Sequence, residues 1–232
     1  MVGHRGFRAA IIVPPGCGKD MIFQRIVSKY KTPVISTGKL LRQHIRERTL
    51  LGMRADRYIR RGKCIPDYLF TQMLRKPLEK LGSQGLILDG YPRTVGQAKE
   101  LEKMVALDFV LLLEVPVTSV LAELKKRHVA RNGVTLTYSR AQRSEIALTP
   151  SQLQVADEAA RMSARQADFG VQMEPVIRHF AQQKLIHHVP VHNLNFLWHQ
   201  VERHLNLLWP KTKSVDRLRR HWYFGLCNSA AA

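Results

Sequence analysis

AAIIVPPGCGKDMIFQRIV, residues 9–27, is the stretch that decides the fold. Its first five residues form a continuous apolar run, which is typical of a buried parallel strand, and the apolar spacing after Lys19 is helical. The glycines in between let backbone N–H groups point at phosphate oxygens, and the start of the helix and the lysine add positive charge. The stretch therefore predicts a phosphate-binding loop at Gly16, Cys17, Gly18 and Lys19, in preference to a glycine turn with a surface lysine.

Short apolar runs alternate with helical periods along most of the remaining sequence, which predicts a parallel sheet covered by helices on both faces. These runs lie at residues 33–35, 86–88, 109–115 and 185–189. Two stretches depart from the alternation: residues 38 to about 80 predict consecutive helices, and residues 128–156 predict a small inserted hairpin. A last helix is predicted over 197–209, where Pro210 ends it. The pattern assigns the chain to the α/β class.

Composition narrows the classes of protein to which the chain can belong. Of its 232 residues, 45% are hydrophobic and 24% are charged, which is typical of a globular protein and not of a disordered polyelectrolyte. No apolar run approaches the ~20 residues of a membrane span, so no transmembrane segment is expected. Three scattered cysteines predict a reducing compartment and a protein that is not secreted. The net charge of +19 is unusual, and it predicts attraction to acidic surfaces.

A second group of polar residues follows the apolar run at residues 86–88. Asp89 ends this strand, Gly90-Tyr91-Pro92-Arg93-Thr94 comes next, and Gln97 lies one helical turn further on. A carboxylate at the carboxyl end of a parallel strand lies beside the phosphate-binding loop, where it can hold the water shell of Mg²⁺ on a nucleotide. Arg93 is near enough to grip a phosphate with its planar guanidinium. The group predicts a site for a magnesium nucleotide.

Four motifs occur in order along the chain: Pro14-Pro15-Gly16-Cys17-Gly18-Lys19, Ser36-Thr37-Gly38-Lys39-Leu40-Leu41-Arg42, Ile65-Pro66-Asp67, and Asp89-Gly90-Tyr91-Pro92-Arg93-Thr94 with Gln97. With them the sequence resembles the adenylate kinase family, and within it the mitochondrial GTP:AMP phosphotransferase branch, over about residues 7–209. The resemblance implies a P-loop nucleoside-monophosphate-kinase fold, with a five-stranded parallel sheet and helices on both faces. It also implies a kinase-like domain over 1–210, with a monophosphate-binding insert at about 36–75 and a lid at about 128–156. A basic tail, 211–232, follows.

The resemblance also implies roles for individual residues. Thr37 and Gln97 match positions that contact the adenine of AMP, and Arg42 and Arg93 match those that grip its phosphate. The donor, ATP or GTP with Mg²⁺, is implied to bind at the phosphate-binding loop, with Asp89 reaching the metal through water. The cations implied to stabilise the transferring phosphoryl group are Lys19, Arg93, Arg127 and Arg165.

The donor half departs from the family pattern at several positions. Asp20 and Met21 stand where the family has Gly and Thr, so a carboxylate replaces a neutral residue and the hydroxyl near the metal is missing. Two like charges ~4 Å apart repel by about 4 kcal/mol near a protein surface. Glu123 stands where the family has a catalytic Arg, and Gln154 stands at another lid arginine. The lid lacks the four cysteines that bind zinc in some relatives, so no zinc is expected.

Two functions remain open from the sequence. The first is phosphoryl transfer from ATP or GTP to AMP in the mitochondrial matrix, which is favoured over the cytoplasm. The second is a catalytically weak or inactive subunit that acts as a basic component of an acidic assembly, with RNA or an acidic protein surface as its partner. The tail sets Arg219-Arg220 close to Trp222-Tyr223-Phe224, a combination of cations and aromatic rings that suits RNA or a docking protein.

Overall fold

The computed structural model describes residues 6–82, 84–129, 135–137 and 152–209, with the backbone alone described over 124–129, 135–137 and 152–159. Seven strands lie in these ranges: β1 (Arg8–Ile12), β2 (Val34–Ser36), β3 (Leu86–Asp89), β4 (Phe109–Glu114), β5 (Arg127–Val129), β6 (Thr135–Thr137) and β7 (Ile186–Pro190). Eight α-helices lie in the same ranges: α1 (Lys19–Tyr30), α2 (Thr37–Arg46), α3 (Leu50–Arg60), α4 (Asp67–Leu81), α5 (Val95–Met104), α6 (Val117–Lys126), α7 (Gln152–Gln182) and α8 (Leu197–Leu208). A 3₁₀ turn, Leu194–Phe196, precedes α8.

Five of these strands form one parallel sheet, as the apolar runs predict, and their order is β2-β3-β1-β4-β7. Asp89 pairs with Ser36 on one side and with Ile11 on the other. The carboxyl ends of the three neighbouring strands therefore lie at one edge of the sheet, where ligands bind in open α/β folds. This edge receives the loop after β1, the start of α2 and the segment after β3.

Apolar side chains on the two faces of the sheet pack into separate cores. Ala9 and Ile11 face a cluster that includes residues of α1 and α8, whereas Ala10 and Ile12 face a cluster that includes residues of α4, α5 and α7. All four side chains are at most 5% exposed. The burial on both faces explains why this strand reads as a continuous apolar run.

Helices α2, α3 and α4 follow one another between β2 and β3, which confirms the prediction of consecutive helices. Ala55, Leu69 and Met73 form a small core of their own there. A Cβ at Gly52 would lie 2.1 Å from the carbonyl oxygen of His44, so α3 packs against α2 through its backbone. Only glycine fits at such an approach.

Strands β5 and β6 pair antiparallel, Arg127 with Thr137, and this pair begins one residue before the segment 128–156, where the sequence predicts a hairpin. Helix α7 begins at Gln152, inside the range expected for the lid. The expected tail, 211–232, lies outside the described residues. None of the helices in the described ranges combines the length and the apolar character that a membrane crossing requires.

Candidate functional site

The loop between β1 and α1 takes a conformation that requires its glycines. Gly16 and Gly18 have φ angles of 87° and 70°, and Gly18 is the N-cap of α1. A Cβ at Gly16 would lie 2.6 Å from Cγ1 of Val120, so side chains from α6 close over the loop at this point. Cys17 between them is 4% exposed and belongs to the core. The loop therefore sets backbone N–H groups at the start of a helix, which suits an anion.

Lys19 and Asp89 meet at the end of the sheet. Nζ of Lys19 donates to Oδ1 of Asp89 at 2.9 Å, and the side chains are 41% and 5% exposed. A buried carboxylate next to a phosphate-binding loop fits the water shell of a magnesium ion, since Mg²⁺ prefers oxygen ligands and keeps several waters. An anion that enters the site would share this ammonium with Asp89.

Two of the residues predicted to bind AMP donate hydrogen bonds to the carbonyl oxygen of Gly90. Thr37 Oγ1 donates to it at 3.1 Å, and Arg93 Nε donates to it at 3.0 Å. Gly90 has a φ of 74°, and a Cβ there would lie 3.1 Å from Thr37 Oγ1 and 3.3 Å from Arg93 Nη2. Thr37 is buried whereas Arg93 is exposed, so the guanidinium can reach a ligand.

Gln97 lies beside this group and is held by residues from two segments. Its Oε1 accepts from the backbone N–H of Arg93 at 2.8 Å, and its Nε2 donates to Oδ1 of Asp67 at 2.7 Å. Oδ2 of Asp67 accepts from the hydroxyl of Thr94 at 2.6 Å. Gln97 is 3% exposed, so these bonds fix a buried amide.

A cavity of about 400 Å³ opens between the loop after β1, the segment after β3 and α7. Its lining brings together four of the predicted charged residues, Lys19, Asp89, Arg93 and Arg165. Gln166 Nε2 donates to the carbonyl oxygen of Pro15 at 3.0 Å, which ties α7 to the loop. The lining of the cavity therefore includes residues expected to handle phosphate, among them three cations.

The structure does not bring every predicted residue to this cavity. Arg42 is exposed on α2, where its Nη1 would lie 3.5 Å from a Cβ at Gly38. Arg127 lies in β5, and its side chain falls outside the described residues, as does that of Gln154 in α7.

The departures in the first turn of α1 face solvent. Asp20 is exposed and Met21 is 40% exposed. Water around an exposed carboxylate reduces its repulsion of an anion toward the ~1 kcal/mol expected in bulk water, below the near-surface figure. The absence of the family's threonine hydroxyl at position 21 is then the larger effect, because the side chain of Met21 has no oxygen that could face the water shell of a metal ion.

Tyr91 connects the segment after β3 with the helical insert. Its hydroxyl shares a hydrogen bond with that of Thr71 at 3.1 Å. Burial raises the pKa of Tyr91, the carboxylates of Asp67 and Glu100 raise it further, and the bond with Thr71 acts in the opposite direction. The phenol therefore stays neutral and serves as a packing and hydrogen-bonding group at neutral pH.

Sequence reasoning assigned no role to Asp67 or Gln166. Asp67 lies in one of the four motifs, directly before a run of helical spacing, and this position could have drawn attention to it. Its partner Gln97 is thirty residues away along the chain, so the sequence does not show the contact. For Gln166 no sequence signal existed. Over the described residues, no group of three or more His, Cys, Asp or Glu side chains is arranged to hold a metal ion by itself.

The sequence of the chain is similar to those of adenylate kinases. The family model for adenylate kinase matches residues 11–185. An adenylate kinase from Synechococcus sp. (strain JA-2-3B'a(2-13)) is 41% identical over 125 residues, which cover 52% of this chain and 65% of the relative. The mitochondrial GTP:AMP phosphotransferase of Drosophila melanogaster is 38% identical over 123 residues, 53% of this chain and 57% of the relative. The matched regions thus span less than two thirds of these relatives.

Proposed function

The chain belongs to the adenylate kinase family, and we propose that it transfers a phosphoryl group from ATP or GTP to AMP at a low rate. The observation that carries this proposal is the arrangement at the end of β3. Thr37 and Arg93 meet at the carbonyl of Gly90, and Gln97 accepts from the N–H of Arg93. Lys19 donates to Asp89, the last residue of the strand. The acceptor insert is assigned to about 36–75 and the lid to about 128–156.

Phosphoryl transfer depends on positioning more than on covalent chemistry, and the arrangement supports that kind of catalysis. Arg93 binds the Gly90 carbonyl beside Thr37 and also lines the cavity that contains Lys19 and Arg165. Its guanidinium can therefore grip the AMP phosphate and the transferring group together. Lys19 and Arg165 add charge where the phosphoryl oxygens become more negative.

Asp89 would hold magnesium through water, and the ion would neutralise charge on the triphosphate. The buried carboxylate at the strand end fits this role, while Met21 offers the metal shell no oxygen. Glu123 further replaces a positive charge of the family with a negative one. A missing arginine of this kind lowers rates by about 10³-fold or more in phosphoryl transfer, which is the reason for proposing slow turnover.

A coupled assay with AMP and either ATP or GTP tests the activity, and a melting experiment with AMP tests the acceptor site. We expect slow turnover, and a Tm that rises with AMP because a ligand bound only by the folded chain stabilises it. Arg93→Met should abolish the rise, whereas Arg75→Met, at an exposed arginine of α4, should keep it. An unchanged Tm of the wild-type chain at millimolar AMP would contradict the proposal.

A second candidate function is favoured by the surface of the helical insert, and here we propose RNA binding. Residues 37–81 carry twelve Lys or Arg against four Asp or Glu. Arg54, Arg57 and Arg60 recur at helical spacing on α3 and are exposed, as are Leu50 and Met53 of the same helix. Guanidinium groups at such spacing suit successive phosphates of a nucleic acid backbone.

Binding of a labelled single-stranded RNA at increasing salt concentration tests this second function. Replacing Arg54, Arg57 and Arg60 with Gln should weaken binding and flatten its salt dependence, because fewer counterions are released. Removing three exposed cations elsewhere, Arg178, Lys184 and Arg203, is the matched control. Wild-type protein that leaves RNA unbound at low salt would contradict the function, and binding to an acidic protein instead would identify another partner class.

We also propose a mitochondrial location. Support comes from the mitochondrial relative in Drosophila melanogaster and from the low cysteine content, which suits a reducing compartment. Fractionation of cells that carry the tagged protein should recover it with matrix markers, and recovery with cytosolic markers would contradict the location.

A further inference from the structure

We propose that Asp67 is a positioning residue that locks the side-chain amide of Gln97, and that this lock makes the acceptor site select adenine over 6-oxopurines. The inference rests on the proposed function, because it places Gln97 against the base of the acceptor nucleotide. It concerns a residue outside the predicted site, at the first position of α4.

Asp67, Thr94 and Gln97 form a continuous hydrogen-bonded network around the amide of Gln97. Asp67 accepts from Gln97 Nε2 through Oδ1 and from the Thr94 hydroxyl through Oδ2, at 2.7 Å and 2.6 Å. Thr94 Oγ1 in turn accepts from the backbone N–H of Gln97 at 3.0 Å, as the N-cap of α5. Both carboxylate oxygens are thus bound to the first turn of α5, so Asp67 is itself held in place.

The start of α4 and the start of α5 approach closely enough to sustain this network. A Cβ at Gly96 would lie 3.3 Å from Oδ2 of Asp67, tighter than ordinary contact, so a glycine suits this position. The carboxylate also lies at the N-terminal end of α4, where the helix dipole favours negative charge. Because of the close approach and the helix dipole, the charged carboxylate of Asp67 can lie against Gln97 at little cost in free energy.

The network permits one orientation of the amide. Turning it by 180° would bring Oε1 against the carboxylate of Asp67, two acceptors, and Nε2 against the N–H of Arg93, two donors. Because Gln97 is 3% exposed, water cannot replace either lost bond. The oxygen and the NH₂ group of the amide are similar in shape. The hydrogen bonds to Asp67 and to the N–H of Arg93 therefore determine which of the two groups occupies each position.

A Gln97 amide that is held in one orientation distinguishes between bases whose hydrogen-bond donor and acceptor groups lie in opposite order. Adenine carries an amino donor at position 6 beside a ring nitrogen that accepts, whereas guanine and hypoxanthine carry a carbonyl there beside a ring N–H. After its bonds to Asp67 and Arg93, Gln97 keeps one N–H and one carbonyl lone pair for the base. A freely turning amide matches either order, and the locked amide matches only one.

Calorimetric titration of the full-length chain with AMP and with IMP tests the inference, since IMP reverses the order at position 6 without adding another group. The wild-type chain should prefer AMP. Asp67→Leu should reduce the preference by part of the roughly fivefold to hundredfold discrimination expected of one bidentate amide contact, because the N–H of Arg93 still favours one orientation. Asp67→Asn keeps an oxygen facing Gln97 and should restore most of the preference. Asp56→Asn, on α3 and paired with Arg60, should not change it.

A double-variant comparison separates positioning from a structural role. In a Gln97→Leu background, Asp67→Leu should leave the ratio of AMP to IMP affinity unchanged, because no amide remains to be locked. A structural role alone would weaken both nucleotides equally. An unchanged ratio in Asp67→Leu, with AMP still bound, would overturn the inference and leave the proposed function intact. Failure of the wild-type chain to bind AMP would overturn the proposed function, and the inference with it.

Discussion

The ammonium group of Lys19 donates a hydrogen bond to the buried carboxylate of Asp89 at 2.9 Å, so the cation of the loop after β1 is paired with a strand-end carboxylate. A triphosphate that enters the cavity competes with Asp89 for this cation, or shares it. The pairing holds the lysine at the cavity entrance before any ligand arrives, which lowers the entropic cost of binding.

Lys19→Met should weaken binding of ATP or GTP by about 10- to 100-fold, because a hydrogen bond to a charged group contributes ~1.5–3 kcal/mol. Titration with each triphosphate measures the effect. Lys19→Arg keeps the positive charge and should lose less affinity. Equal affinity of the Met variant and the wild-type chain would show that the loop does not bind the donor.

Asp20→Gly combined with Met21→Thr should raise phosphotransferase activity by about tenfold or more. The pair removes a repulsion of ~1 kcal/mol and returns a hydroxyl near the metal shell. Both positions are exposed, so we expect the variant to fold normally. The coupled assay with AMP measures the gain, and each single change shows which departure matters. A wild-type chain that is already fast, and that the pair does not improve, would contradict this explanation.

Gly90→Ala should lower both AMP affinity and stability. Its φ of 74° costs an L-residue about 1–2 kcal/mol, and the new methyl group would displace Thr37 and Arg93. Chemical denaturation and AMP titration measure the two effects. Gly170→Ala in α7 is the matched control, since its Cβ would meet nothing within 4 Å. There the change should stabilise by about 0.5–1 kcal/mol.

Acid should destabilise the chain partly through His187 in β7. Burial lowers the pKa of this imidazole, and His204 and His188 lower it further. Its contribution to stability is therefore present above the unfolded pKa near ~6.5 and is lost as pH falls through the lower folded pKa. His187→Gln should reduce the drop in Tm between pH ~7.5 and ~5.5. The control, His192→Gln at an exposed histidine, should leave the drop unchanged.

Much of the fold could be predicted because its strands are buried on both faces. Ala9–Val13 was predicted as a strand on its apolar run alone, and β1 ends one residue earlier, at Ile12. The order of the five strands had no such signal, because it depends on which runs pair across the sheet. The helices of the insert were predicted from their period, but the direct backbone contact at Gly52 was not.

Some contacts of the candidate site could likewise be predicted from the sequence, and others could not. Asp89 and Lys19 could be placed together, since Asp89 ends one strand, Lys19 comes after another, and the carboxyl ends of parallel strands share an edge. The meeting of Thr37 and Arg93 at the carbonyl of Gly90 could not, because a backbone acceptor has no side-chain signature. The link from Asp67 to Gln97 arises only when α4 packs beside α5, which no local pattern in the sequence encodes.

The carbonyl of Gly90 also bears on how such a site changes over evolutionary time. Substitution can replace a side chain but cannot delete a main-chain oxygen, so the anchor shared by Thr37 and Arg93 is inherited as long as the strand is. The proposed donor site instead depends on side chains, such as those at positions 20, 21 and 123, that single codon changes alter. A lineage with relaxed selection on turnover would therefore lose its donor chemistry first and keep a receptor for the monophosphate.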